Sequence, residues 1–179
     1  MNRRSFVLAV ALLASGSAVA QNRVPDVIFV PTPQEVVEDM LRLADVKKGD
    51  VLYDLGSGDG RIPITAAKKY GVRAVGIDID PHRISEARAN AKKAGVEKQV
   101  EFREGDLFAM DFREATVVTL YLLPELNLKL APRLRAEMKP GTRIVSHQFD
   151  MGEWRPDKKL ELGGRTVYFW TVPERKARK

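Results

Sequence analysis

The 179-residue chain has no cysteine, which excludes disulfides and thiolate metal sites. It has two histidines, His82 and His147, too few for a multi-histidine centre, so no metal site is expected. The apolar stretch at 6–14 is too short to span a bilayer comfortably. Internal repeats and low-complexity linkers are missing. A strong charge bias is missing as well. The net charge is +6, but Arg3 and Arg4 lie in a first segment without acids, leaving 28 basic against 24 acidic residues after position 20. The last six residues, Glu174 to Lys179, carry +3 of that remainder. The bulk of the chain is therefore nearly balanced, and the basic tail reads as a solvated end rather than a docking patch for nucleic acid or membrane.

The length suggests one domain, preceded by a leader at 1–20. Arg3-Arg4 form its positive start, residues 6–14 its apolar centre, and Ala18-Val19-Ala20 a small-residue cleavage site before Gln21. The leader reads as an export signal, of the twin-arginine or the general secretory type. An uncleaved membrane anchor is the minority alternative. Residues 21–49 form an N-terminal segment and capping helix, 50–173 the main domain, and 174–179 the basic tail.

The main domain is organised around Val51-Leu52-Tyr53-Asp54-Leu55-Gly56-Ser57-Gly58-Asp59-Gly60-Arg61. A short apolar run suits a buried parallel strand. The glycines that follow let the backbone turn sharply and approach a ligand. The next helix, from Ile62 to Tyr70, points unpaired N–H groups and its positive end at the same place. A dinucleotide fingerprint wants G-x-G-x-x-G. Here the spacing is G-x-G-x-G, and Arg61 stands where the third dinucleotide glycine would fall. A second strand, Arg73 to Asp78, ends in a carboxylate about 20 residues downstream, where a ribose hydroxyl pair would be held.

Along the rest of the chain, Thr32-Pro33-Gln34-Glu35 reads as a helix start with a threonine cap. Asp80-Pro81 starts another helix, ending at Gly95. Val100 to Arg103 is a strand, and Thr116 to Leu123 reads as a buried central strand. An amphipathic helix runs from Pro124 through Leu134 and Met138. Arg143 to Ser146 is a strand, and Lys159–Leu162 with Thr166–Val172 form a hairpin. Five strands alternating with helices demand a parallel sheet with right-handed crossovers. The fold class is therefore α/β, Rossmann-like, with a C-terminal antiparallel hairpin.

Joined to Asp54, Asp78 and Gly105-Asp106, the glycine loop resembles the class I methyltransferases that use S-adenosylmethionine (SAM), with their seven-stranded sheet. The resemblance implies that Asp54 and the loop Gly56, Ser57, Gly58 and Gly60 hold the methionine part of SAM. It implies that Asp78 takes the ribose hydroxyls and Asp106 the adenine amino group, with Ile79 and Leu107 packing on the ring. Asp59 and Asp80 read as helix caps, and Asp106 has a cap as its alternative. The tetrapeptide Asn/Asp-Pro-Pro-Tyr/Phe of amide and base amino methyltransferases is absent; Tyr121-Leu122-Leu123-Pro124 stands in its place. Tyr121 and His147 are the candidates for a catalytic role, against core packing and a strand-end or substrate contact.

A narrower resemblance covers 29–154. Phe29-Val30-Pro31-Thr32-Pro33, the motif Asp54 to Ile62, Phe149 and Trp154 are similar to the small protein-lysine methyltransferases of the ATP synthase c-subunit and the adenine nucleotide translocase. It implies a protein lysine as acceptor. Apolar desolvation favours the neutral amine, and Phe29, Tyr121, Phe149 and Trp154, expected at the carboxyl rim of the sheet, are the candidate substrate walls. The segment with Thr32 also resembles the cofactor-covering loop of the seven-stranded histone lysine methyltransferases. Phe149 and Trp154 could equally pack the hairpin. The alternatives are a small-molecule N- or O-methyltransferase and a SAM-binding protein without catalysis.

Overall fold

A computed structural model describes residues 28–175. Residues 1–27, which hold the expected leader, and residues 176–179 lie outside them. In chain order the elements are α1 (Gln34–Leu43), β1 (Val51–Leu55), α2 (Arg61–Tyr70), β2 (Arg73–Asp78), α3 (Pro81–Ala94) and β3 (Val100–Glu104). They continue as β4 (Val117–Leu120), α4 (Pro124–Glu137), β5 (Arg143–His147), β6 (Lys158–Leu162) and β7 (Arg165–Thr171). The seven strands form one sheet in the order β3-β2-β1-β4-β5-β7-β6. β1 to β5 are parallel, and β7 runs against both its neighbours, β5 and β6.

Strand periodicity splits the core into two layers. Leu52, Ala74, Val117 and Val145 face one way, onto Val36 and Met40 of α1, Ile62 and Ala66 of α2, and Ile84 and Ala87 of α3. Leu55, Ile77, Val118, Leu120 and Ile144 face the other way, onto Leu130 and Leu134 of α4 and onto Phe112. The winding direction of the sheet reverses between β1 and β4. That reversal opens a crevice at the carboxyl ends of the strands, the place where open α/β sheets bind ligands.

Three local expectations are corrected. Thr32 does not cap α1: the cap position is Pro33, with no side-chain cap bond, and the Pro33 carbonyl accepts from Val36 and Val37. The Thr32 hydroxyl is engaged with His147 instead. The central strand stops at Leu120, because the chain must leave the sheet before Pro124 opens α4; proline pushes its predecessor out of helical geometry. Finally, the β3-to-β4 crossover contains no helix. Residues 105–116 cross as turns, and buried Phe112, with half-buried Phe108 and Met110 packed against the same cluster, takes a helix's place. The start of the basic tail is anchored, since Arg175 donates to the Ala136 and Met138 carbonyls at the end of α4.

Candidate active site

A cavity enclosing about 1020 Å³, part of it open to solvent, lies at the carboxyl ends of β1, β2 and β4. Its floor is the glycine loop. Gly56 and Ser57 donate their N–H groups to the Ile77 carbonyl at 2.8 and 2.9 Å, which staples the loop to β2. Gly58 donates to Asp78 Oδ2 at 2.7 Å, and Asp80 N donates to Oδ1 at 3.0 Å. Gly56 and Ser57 line the cavity, whereas Gly58 and Gly60 lie behind it. Both of the latter have positive φ, and both lack room for a side chain. A Cβ on Gly58 would sit 2.2 Å from the Phe29 ring, and one on Gly60 2.4 Å from Phe102. Gly58 thus makes room for the segment above the loop, and Gly60 lets α2 and α3 close on β3.

Carboxylates ring the cavity. Asp54, at the end of β1, is buried and accepts from the Thr119 hydroxyl at 2.7 Å. Burial, with smaller contributions from the Asp78 and Asp59 charges, pushes its carboxyl up to about 8 against that hydrogen bond. Asp78, Ile79 and Asp80 follow at the end of β2. Asp80 also caps α3, accepting from His82 N, as expected. Asp106 Oδ1 accepts from Phe108 N at 2.9 Å, so this residue both caps a turn and lines the cavity beside Leu107 and Phe108.

Residues 28–32 form a strap that lines the opposite side. Arg61 donates from Nη1 to the Thr32 carbonyl at 2.8 Å and is itself paired with Asp59. The Phe29 ring lies over Gly58 and against the Arg83 guanidinium, 4.7 Å from its centroid. Tyr121, just past the end of β4, is half-buried and lines the cavity. Its ring contacts His147 (centroids 4.1 Å apart) and stacks on Phe149 at 6.4 Å.

The expected residues are therefore not all brought together. Thr32, Asp54, Gly56, Ser57, Asp78, Ile79, Asp106, Leu107, Phe29 and Tyr121 share the cavity. His147 and Phe149 stand behind Tyr121. Trp154 is the exception: it packs 6.2 Å from Trp170 in the core on the α4 side, and its carbonyl accepts from Trp170 Nε1. Sequence reasoning had no role for Arg83, Phe108, Leu122 and Leu126, which also line the cavity. Only Leu122 and Leu126 carried a signal, their position just after the fourth strand.

These features fit SAM. Two carboxylates, Asp54 and Asp78, flank a tight glycine loop, and apolar Ile79 and Leu107 face the same space. Fold and site define a SAM-dependent methyltransferase. Residues 54–158 match the family described as ANTKMT methyltransferase domain. The chain belongs to that family. It is 49% identical over 158 residues to a protein-lysine N-methyltransferase of Saccharolobus islandicus (strain REY15A), covering 86% of this chain and 98% of that protein. It is 33% identical over 150 residues to the lysine N-methyltransferase of the ATP synthase c-subunit from Mus musculus, covering 84% of this chain and 60% of that one. Among solved structures, an RNA methyltransferase from Salinibacter ruber in complex with S-adenosyl-L-homocysteine is 61% identical, with a TM-score of 0.81, covering 84% of this chain and 98% of that one.

Proposed function

We propose that the enzyme methylates the side-chain amine of a lysine in a protein. The observation that carries this reading is the chemistry of the cavity wall. Five aspartates line it against two arginines, Arg61 and Arg83. Both arginines are already paired, with Asp59 and Glu86. A nucleic-acid groove presents Lys and Arg to phosphates; among the described residues no lysine lines this cavity, and its two paired arginines leave a phosphate backbone no free cation to meet.

SAM supplies an activated methyl group, so the chain's task is to position a neutral nucleophile. Lysine is mostly protonated near neutral pH. Apolar walls favour its neutral form by raising the cost of the charge. Phe29 and Tyr121 supply such walls, and no side chain is required as a strong base. The names of the Saccharolobus and mouse relatives support this reading; that of the Salinibacter structure points to RNA.

The test is transfer of labelled methyl from SAM to a lysate of the source cells, separated into protein, RNA and metabolite fractions. Label on lysine after protein digestion is expected. Label confined to RNA or to a metabolite would overturn the lysine acceptor and leave the methyltransferase standing. We infer in addition that the protein is exported, supported by Arg3-Arg4 and Ala18-Val19-Ala20. Mass spectrometry of the native protein should find Gln21 first; an intact Met1 would refute this.

A further inference from the structure

His147 ends β5 and is 2% exposed. It does not line the cavity, yet it touches two residues that do. Its Nδ1 lies 3.3 Å from the Thr32 hydroxyl, and its ring lies against Tyr121 at a tilt of 41°. Thr32 is the last residue of the strap, and its carbonyl is separately taken by Arg61. The strap is thus tied to the glycine loop through its backbone and to β5 through one hydroxyl. Tyr121 stands one residue beyond the last β4–β5 pair, Leu120 with Ser146. No ladder bond orients it, so its ring direction depends on what packs against it. His147, with ring centroids 4.1 Å apart, and Phe149, stacked at 6.4 Å, form that support.

We propose that His147 is a positioning residue for methyl transfer, one buried imidazole that seats the strap through Thr32 and sets the direction of Tyr121 on the acceptor side. The Tyr121 half rests on the proposed reading of Tyr121 as an acceptor wall. Burial, assisted by the Arg165 charge, holds the imidazole neutral, with its pKa down to about 4. The contact to Thr32 therefore joins two neutral groups across the physiological range. A ring shut off from the cavity cannot take a proton from an acceptor, so its effect must pass through its two neighbours.

Two substitutions separate the halves. His147→Phe keeps a ring under Tyr121 and removes the partner of Thr32. His147→Asn keeps a polar group near the position of Nδ1 and removes the ring. S-adenosylhomocysteine affinity is read by calorimetry. Turnover is read at saturating labelled SAM with source-cell protein as acceptor. His147→Phe should weaken S-adenosylhomocysteine binding by about two- to tenfold, the range of one neutral hydrogen bond, with the smaller loss in turnover. Thr32→Val should reproduce that loss and add nothing in the His147→Phe background, whereas Thr32→Ser should retain binding. His147→Asn should show the opposite split, with turnover falling and affinity kept. Equal losses in both readouts for both variants, tracking their melting temperatures, would overturn the proposal. If wild-type enzyme labels no protein, the acceptor reading and with it the Tyr121 half fall, while the calorimetry still decides the Thr32 half.

Discussion

The Thr119 hydroxyl bonds to the buried Asp54 carboxyl at 2.7 Å across the β1–β4 pair, where the two residues stand in register. One hydroxyl does not offset the burial, and the carboxyl titrates at about 8 rather than near 3.8. Such a group binds more protons folded than unfolded, so the ligand-free domain loses stability as pH rises through that window. His147 acts in the opposite sense. Its lowered pKa makes stability rise with pH between about 4 and 6.5. The Asp54 effect is therefore best read above pH 6.5. Melting temperature should fall from pH 6.5 to 8.5, and Asp54→Asn should flatten the fall. An unchanged slope in the variant would show that Asp54 is already ionised.

The same protonated carboxyl should be linked to ligand binding. An ammonium group seated against Asp54 favours its charged form. S-adenosylhomocysteine binding at pH 7 should then release a proton. Calorimetry in two buffers of different ionisation enthalpy would reveal the release, and Asp54→Asn should abolish it.

Asp78 accepts from both Gly58 N and Asp80 N, so it supports the loop as well as lining the cavity. Asp78→Ala should weaken S-adenosylhomocysteine binding by about 1–3 kcal/mol. NAD should not bind the wild-type domain; tight NAD binding would contradict the cofactor assignment.

Gly60 and Gly71 both have positive φ, but a Cβ meets Phe102 and Ala87 at Gly60 and nothing within 4 Å at Gly71. Gly71→Ala should cost only the left-handed strain, about 1–2 kcal/mol. Gly60→Ala should cost roughly a further 1–3 kcal/mol for overpacking. Urea midpoints compare the two directly, and equal shifts would show that Phe102 yields at no cost.

Phe29 sits over Gly58 and beside Arg83 while facing the cavity. Phe29→Ala should lower turnover more than S-adenosylhomocysteine affinity, and the wild-type rate should rise with pH through the alkaline range as lysine loses its proton. A larger loss in affinity than in turnover would make Phe29 part of the cofactor's cover alone.

What the sequence determined by itself rests on short-range chemistry. The apolar run Val51 to Leu55, the glycines after it and Asp80 before Pro81 place a strand, a loop and a capped helix whose causes lie within a few residues. The alternation of strands and helices implied a mostly parallel sheet, and with it the end where a ligand sits. Tertiary structure decided the rest wherever a distant partner outcompeted a local one. Thr32 has the composition of a helix cap, but His147, 115 residues away, takes its hydroxyl. Residues 105–116 cross without a helix, with Phe112 in the core and Phe108 and Met110 packed against it. Trp154 shares its segment with Phe149, yet it packs on Trp170 against the α4-side core while Phe149 stacks on Tyr121. A hydroxyl or an aromatic ring can satisfy itself with several partners, and only the packed fold determines which of them comes within reach.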